Sequence, residues 1–329
     1  MTLHEALTQA TGGRPLVLDG GFGTMVQTFN LGEQDFRGYR YRNMPGMLLG
    51  NNEMLTLTRP DVVSEIHKAY IQAGAEMITT NTFSANSISQ ADYGCEHLVE
   101  EMNTEAVRLA REAFAQLGKE GFVIATVGPT NKSLSISPDM NDPACRSITF
   151  DQLAEAYTQQ ICALIQAGAD AILLETIFDT LNAKAGIYAH EMAMEQTGRQ
   201  VPLMLSATVN DTQGRLLSGQ TIEAFIISIA HARNLLSVGL NCSFGADDML
   251  PVLRILRRAV NNTLNGGRQY YVSCHPNAGL PNSMGQYDVT PEQFAQSVKP
   301  MLNEGLVDII GGCCGTTPNH IEALRELCR

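Results

Sequence analysis

Three cysteines in this sequence have the type and the setting of metal ligands. Cys242 lies in GLNCSFG, and the adjacent Cys313 and Cys314 lie in IIGGCCGTT. Three thiolates on one centre suit zinc, with bonds of about 2.3 Å, and a fourth position left open is typical of a catalytic zinc site. His275 is a candidate for that fourth position. The alternatives are three unligated thiols around a tight turn, or a redox pair made by the adjacent cysteines, which lack the CxxC spacing of thiol oxidoreductases.

Two carboxylates stand where apolar runs end. Asp19 lies in LDGGFGT, and Glu175 follows AILL and precedes TIFD. A carboxylate at the end of a buried strand is seldom unpaired, so Glu175 indicates a cationic ligand or partner. Asp19 is open to a second interpretation, a turn carboxylate satisfied by backbone N–H groups. The glycines after Asp19 lack the GxGxxG spacing, so they do not predict a dinucleotide site.

The elements that would position these residues repeat along the chain. Eight short apolar runs are hydrophobic enough to be parallel strands buried on both faces. They are RPLVLDGG, AEMITTNTF, GFVIATVGPT, DAILLETIF, VPLMLSATVN, SVGLNCSF, YYVSCHPNAG and VDIIGGCCGT. An internal echo, in QAGAEMI, QAGADAI and NEGLVDI, marks places where a helix ends, the chain turns and a strand begins.

The intervals between the runs predict helices. In TRPDVVSEIHKAYIQAG, Thr58 is expected to cap the helix, Pro60 to lie in its first turn and Gly74 to end it. Eight strand–helix units predict a single (β/α)8 barrel over residues 1–329, with a polar insertion between Gly23 and Thr58 after the first strand. A doubly wound open sheet is the alternative that the same alternation allows.

In such a barrel the chemistry lies at the C-terminal ends of the strands. Asp19, Glu175, His275 and the three cysteines all fall at these ends. Cys242 belongs to the sixth strand and the cysteine pair to the eighth, and alternate strands supply the same interior layer. Gly311, Gly312 and Gly315 would let both adjacent cysteines turn inward. The other cysteines are expected away from this site: Cys95, Cys145, Cys162, Cys328 and, on the opposite face of its strand, Cys274.

Composition excludes several function classes. The chain has 329 residues, 44% hydrophobic and 17% charged, with a formal net charge of −12. That charge and the lack of a basic cluster argue against nucleic acid and anionic membrane as partners. Neither a secretion signal nor an apolar stretch of about 18 residues is present. The eight cysteines are therefore expected to be free thiols of a cytoplasmic protein.

Several motifs resemble the homocysteine S-methyltransferase family, and most closely the homocysteine-binding N-terminal modules of cobalamin-dependent methionine synthases. They are LDGGFGT, TNTF, GPTN, ETIFDTLNAK, GLNCSFG, HPNAGLPN and GGCCGTTPNHI. The resemblance implies zinc on Cys242, Cys313 and Cys314, with the homocysteine thiolate in the open position. It further implies that Asp19 and Glu175 hold the substrate ammonium. Its carboxylate would meet backbone amides near Gly21 and Phe83.

The resemblance leaves the methyl donor outside the chain. A corrinoid module of this family carries a DxHxxG motif, and none of the seven histidines has an aspartate two residues before it. We therefore expect methylcobalamin to come from a corrinoid-binding domain or protein. The alternatives are a small free donor, such as S-methylmethionine or a betaine-like compound, and a non-catalytic zinc–thiolate scaffold that docks a corrinoid partner.

Overall fold

The chain folds around one sheet of eight parallel strands, in a computed structural model that describes residues 1–10, 14–264 and 269–329. The strands are β1 (Leu16–Val17), β2 (Met77–Thr79), β3 (Phe122–Val127), β4 (Ala171–Ile177), β5 (Leu203–Ala207), β6 (Leu235–Gly245), β7 (Tyr271–Asn277) and β8 (Ile309–Ile310). Each strand pairs with its neighbours in sequence, β1 pairs with β8, and a parallel bridge between Leu18 and Met77 joins β1 to β2. The sheet is thus a (β/α)8 barrel, as predicted, and the open-sheet alternative is wrong.

Helices separate the strands. They are α1 (Leu3–Ala10), α2 (Phe22–Thr28), α3 (Glu33–Arg37), α4 (Leu55–Thr58), α5 (Pro60–Ala73), α6 (Ser87–Gln90), α7 (Val99–Gln116), α8 (Phe150–Ala167), α9 (Thr180–Thr197), α10 (Ile222–Ile229), α11 (Ala246–Thr263), α12 (Pro291–Asn303) and α13 (Pro318–Leu327). Short 3₁₀ turns cover Asn52–Met54, Ala91–Tyr93 and Glu96–Leu98. No helix in these described ranges is long and apolar enough to cross a membrane.

The expected cap of α5 is wrong, although its end is confirmed. Gly74 ends the helix with a left-handed φ of 103°. The residue before the helix is Arg59, because Thr58 is the last residue of α4 and its hydroxyl donates to the Met54 carbonyl at 3.1 Å. The chain turns between two helices at Arg59, so Thr58 has no free helix end to cap.

Both faces of the strands are buried, which explains their continuous apolar sequences. One cluster fills the barrel interior, where Met77, Ile124 and Leu173 meet Leu3 and Leu7 of α1. A second, larger cluster lies between the strands and the outer helices. Because α1 closes the N-terminal end with apolar side chains, the polar ends of the strands face the opposite end of the barrel.

The internal echo marks a contact made three times at the N-terminal end. Glu76, Asp170 and Asp308 precede β2, β4 and β8, and each carboxylate accepts a backbone N–H from the neighbouring strand. The contacts join Val17 N to Glu76 (3.3 Å), Val123 N to Asp170 (2.7 Å) and Val272 N to Asp308 (2.8 Å). Each carboxylate also pairs with an arginine: Arg14, Arg111 and Arg257, respectively. The acid in the echo therefore fixes the register of adjacent strands.

The polar insertion forms one wall above the barrel. It contains α2, α3 and α4, and the Glu33 carboxylate holds it together by accepting the amides of Leu48 (3.0 Å) and Leu49 (2.6 Å). The insertion brings Gly50, Asn52 and Glu53 to the cavity at the C-terminal end of the strands.

Candidate functional site

The three predicted cysteines lie together at the C-terminal end of the barrel. Their sulfur atoms are all within 4.8 Å of one another, and the Cys242 and Cys314 sulfurs are 3.8 Å apart. Within the described part of the chain, this is the group of His, Cys, Asp and Glu side chains whose geometry suits a metal ion. A tetrahedron with bonds of about 2.3 Å has edges of roughly 3.8 Å, so the sulfur spacing fits a single zinc-sized ion.

The cysteine pair turns inward because the glycines around it permit close packing. A Cβ on Gly311 would lie 2.8 Å from the Asp19 carbonyl oxygen, and a Cβ on Gly312 would lie 2.6 Å from Thr316 Cγ2. Gly315 has a left-handed φ of 80°, and a Cβ there would lie 2.6 Å from the ring atom Cδ1 of Tyr287. The chain between β8 and α13 therefore requires glycine for close approach at two positions and for conformation at the third.

Without a cation, the three cysteines differ in how readily they lose a proton. Hydrogen bonds from the thiols of Cys313 and Cys314 lower the pKa of Cys242, whereas the pKa values of Cys313 and Cys314 are raised, first of all through the same contact with Cys242. The contacts among the three sulfurs therefore favour the thiolate form of Cys242 and the thiol forms of Cys313 and Cys314. Three anionic sulfurs at this spacing require a bound cation.

Asp19 lies at the end of β1 and is 2% exposed. Its carboxylate accepts the Thr79 amide at 2.8 Å and the Thr79 hydroxyl at 3.1 Å. Burial nevertheless raises the pKa of Asp19 to about 8, because these hydrogen bonds offset only part of the desolvation. The backbone hydrogen bond expected from the sequence is therefore present, but it does not by itself stabilise the ionised form of Asp19.

Glu175 has no hydrogen-bond partner for its carboxylate among the described residues, and it lines the same cavity. Burial, and then the proximity of Asp19 and Cys242, raise the pKa of Glu175 to about 8. Together with Glu53 on the insertion, three carboxylates and three thiols thus line one cavity. A cationic ligand would relieve their mutual repulsion.

These groups line a cavity of about 650 Å³. In the described part of the chain its walls contain no lysine or arginine. The wall also includes Gly21 and Phe83, the two positions expected near a substrate carboxylate. The Gly21 amide already donates to the Thr316 hydroxyl at 3.0 Å. Anion binding near Gly21 would therefore use the next amides, in the first turn of α2, and the roles of both positions remain predictions.

His275 does not join the sulfur cluster, so its candidacy as a fourth ligand is not supported. It is 2% exposed and lines the cavity, with a buried Nε2 that has no hydrogen-bond partner. Burial lowers the pKa of His275 to about 4, so its ring is neutral near pH 7. Cys274, one residue earlier, points into the outer core, as expected, with its sulfur 3.9 Å from that of Met249.

Comparison with known proteins places the chain in a family. The model of the homocysteine S-methyltransferase family matches residues 16–328. The chain belongs to the homocysteine S-methyltransferase family. Two solved structures of the homocysteine methyltransferase MmuM from Escherichia coli, an oxidized and a metallated form, each have a TM-score of 0.73 and 20% identity to this chain. They cover 97% of it and 99% and 98% of their own chains, a likeness that shows the shared fold.

This family member also contains site residues that the sequence did not single out. Thr79 holds Asp19, and Asn277 Oδ1 accepts the Cys314 amide at 3.1 Å. The Tyr287 hydroxyl makes a hydrogen bond with the Cys314 sulfur, and its pKa is raised to about 12, mainly by burial. Asn277 is the last residue of β7, inside the predicted run YYVSCHPNAG, and could have been found from that position. Tyr287 lies in a long loop with no regular pattern, so no sequence signal places it beside Cys314.

Proposed function

We propose that this protein transfers a methyl group to the thiolate of homocysteine, giving methionine, with zinc held by Cys242, Cys313 and Cys314. The methyl donor would be methylcobalamin on another domain or protein. One observation carries the proposal: the three clustered thiols share a cavity with carboxylates, Asp19 and Glu175 among them, that have no lysine or arginine beside them in the described cavity wall. Homocysteine carries the complementary groups, a thiol for the metal and an ammonium for the carboxylates.

The substrate ammonium explains why the two carboxylates are close together. Repulsion from Asp19 helps to raise the pKa of Glu175, and an ammonium between them would favour both ionised forms. The Thr79 hydrogen bonds fix the Asp19 carboxylate directly. The Glu175 carboxylate has no hydrogen bond of its own among the described residues, so its position depends on the backbone of β4.

Zinc, when bound, would supply a low thiol pKa, so that the homocysteine sulfur reacts as the thiolate. In the transfer, this sulfur forms a bond to the methyl carbon while the bond between the methyl carbon and the donor breaks, leaving its electron pair on the donor. The reaction needs in-line approach and no protonation of the leaving group. The neutral His275 and the absence of lysine and arginine from the described cavity wall are consistent with such a site.

The surface around the cavity supports a donor carried by a protein. Large exposed apolar side chains are concentrated in connections that leave the C-terminal ends of strands, the end at which the cavity opens. They are Tyr39, Met47, Leu49, Phe83, Ile136, Met140, Leu217, Leu280 and Met284. Phe83 lines the cavity itself, and exposed apolar side chains at this end of the barrel favour a surface that another protein covers. A small free donor would not need them.

The test is a donor panel with zinc-loaded, reduced protein and homocysteine. Methylcobalamin, alone and on a corrinoid protein, is compared with S-methylmethionine and betaine, and methionine is measured. We expect turnover with methylcobalamin. Turnover with S-methylmethionine alone would establish the small-donor alternative in place of our proposal.

X-ray absorption at zinc separates catalysis from the scaffold alternative. An added sulfur neighbour when homocysteine is titrated is the expected result, because the described cysteines leave one tetrahedral position for the substrate. An unchanged coordination shell would indicate a closed structural site. Cys162, a partly buried thiol on α8, offers a matched control: Cys162→Ala should leave the sulfur count unchanged.

A further inference from the structure

The side chain of Asn241 connects the strand that carries the Cys242 thiol to the strand that carries the Glu175 carboxylate. Asn241 directly precedes Cys242 on β6 and is 0% exposed. Its Oδ1 accepts the Thr176 amide at 2.9 Å and the Ser206 hydroxyl at 2.6 Å, and its Nδ2 donates to the Thr176 hydroxyl at 2.9 Å. Thr176 directly follows Glu175, so one buried amide holds the backbone beside the carboxylate and lies beside the thiol in the chain.

The backbone at these positions is strained. Among the described non-glycine residues, φ is positive at Asn30 and at three residues of this region, Thr176 (57°), Cys242 (61°) and Ser243 (64°). A residue with a Cβ adopts this conformation only where its surroundings hold it, and such strain gathers at functional sites. Two irregularities in strand pairing coincide with it, one between Leu174 and Ile177 and one between Asn241 and Gly245.

The contacts that hold the strain meet at Asn241 and the end of β5. The Thr208 hydroxyl donates to the Asn241 carbonyl at 2.9 Å, and the Ser243 hydroxyl donates to the Val209 carbonyl at 2.6 Å. The side-chain amide of Asn241 holds Thr176 at two points, the backbone N–H of Thr176 and the hydroxyl of Thr176. The left-handed turns aim Glu175 and Cys242 into the cavity from two different strands.

We propose that Asn241 is a positioning residue that sets the separation between the Glu175 carboxylate and the Cys242 sulfur, and thereby the length of the amino thiol that the site accepts. This inference rests on the proposed function, in which the ligand bridges a metal and an ammonium site. Homocysteine has one methylene more than cysteine between its thiol and its ammonium. A fixed separation that suits homocysteine leaves cysteine bound by its sulfur alone.

On this proposal, Asn241 must both accept hydrogen bonds through Oδ1 and donate one through Nδ2. Oδ1 accepts two hydrogen bonds while Nδ2 donates one, and an aspartate at this position keeps the shape but loses the donor. Asn241→Asp would also bury a carboxylate against Thr176, the neighbour of Glu175, behind a cavity that already repels anions. Asn241→Ala removes the contacts without adding charge. Thr176→Val removes the hydroxyl from the other side of the same contact, and Thr176→Ser keeps it.

The experiment measures the dissociation constants of homocysteine and cysteine for each cobalt(II)-substituted variant, from the sulfur-to-metal absorption band. In Asn241→Ala, Asn241→Asp and Thr176→Val, homocysteine should bind about 10- to 100-fold more weakly. This is the usual effect of losing a residue that orients the binding groups without contacting the ligand. Cysteine binding should change much less, so the preference between the two thiols falls. Thr176→Ser should retain the wild-type preference. Ser237→Ala is the matched control, since Ser237 is buried on the same strand and its hydroxyl has no partner.

An unchanged preference in Asn241→Ala and Thr176→Val would overturn the inference while leaving the proposed function intact. Equal weakening of both thiols would also overturn it, because it would indicate a general loss of structure. If the Asn241 variants do not fold, Thr176→Val decides the matter, since it leaves β6 unaltered. Failure of the wild-type protein to bind homocysteine through sulfur would instead refute the proposed function, and this inference with it.

Discussion

Replacing Gly315 with alanine tests whether glycine at this turn positions the cysteine pair. Gly315 has a φ of 80°, and a Cβ there would lie 2.6 Å from Cδ1 of the Tyr287 ring. Gly305 provides a matched control, because its φ is 61° and no atom lies within 4 Å of its added Cβ. Both substitutions place alanine in a left-handed conformation, and Gly315→Ala also forces a side chain against an aromatic ring.

The comparison of these two variants separates the cost of the left-handed backbone conformation from the cost of overpacking against the ring. A left-handed conformation costs alanine about 1 to 2 kcal/mol at either position. Overpacking against the Tyr287 ring adds about 1 to 3 kcal/mol at position 315 only. The smaller conformational entropy of an unfolded chain with alanine in place of glycine affects both variants alike. Gly315→Ala should therefore lower the free energy of unfolding by about 1 to 3 kcal/mol more than Gly305→Ala.

The assay is urea unfolding of the reduced, metal-free proteins, followed by zinc titration. The Tyr287 hydroxyl contacts the Cys314 sulfur, so a displaced ring or turn should also weaken zinc binding in Gly315→Ala, and zinc binding in Gly305→Ala should match the wild type. Equal destabilisation of the two variants, together with full zinc affinity in both, would refute the reasoning. The turn would then tolerate a side chain that the geometry excludes.

Three further predictions concern the thiols, the ammonium site and pH. Cys314→Ala should remove stoichiometric zinc and methyl transfer while the circular dichroism of the barrel is retained, because two sulfurs cannot complete the site. Glu175→Gln should raise the KM for homocysteine more than it lowers kcat, because the neutral amide cannot offset the charge of an ammonium; steady-state kinetics measure both. Lowering the pH from 7 to 5 should cost the wild type stability that His67→Gln keeps, because burial lowers the pKa of His67 to about 4 and the unfolded chain takes up the proton first. With a pKa of about 6.5 for this histidine in the unfolded chain, the difference between the two proteins is about 2 kcal/mol at pH 5, and urea unfolding of both at pH 7 and pH 5 measures it. Asp19 and Glu175, whose pKa values are raised to about 8, contribute with the opposite sign in both proteins and cancel in this comparison.

Each of these predictions has a clear contrary result. Full zinc content in Cys314→Ala would remove that sulfur from the ligand set, and Cys145→Ala controls for the loss of a thiol elsewhere. An unchanged KM in Glu175→Gln would exclude the carboxylate from the ammonium site. A change in stability between pH 7 and pH 5 that is equal in the wild type and in His67→Gln would show that the buried ring is accessible to protons.

Much of the fold follows from local sequence. Strands buried on both faces must be apolar throughout, so eight such runs identify the strands of the barrel, and the acid in the QAGAEMI echo marks where three of them begin. The cap of α5 was misplaced at Thr58 because a threonine before a proline has the same appearance whether it starts a helix or ends the preceding one. That difference depends on the chain before it, which already forms α4.

The sequence by itself determined the residue types that meet at the strand ends, because strand order fixes which ends are neighbours. It identified Cys242, Cys313, Cys314, Asp19 and Glu175 as residues that would share one mouth, and all five line one cavity. Only the tertiary structure decided distance, direction and charge. It brought the three sulfurs within 4.8 Å, left His275 outside that cluster, and joined Glu175 to Cys242 through an asparagine 65 positions from Thr176. Such contacts arise from packing between strands far apart in the chain, which no local pattern encodes.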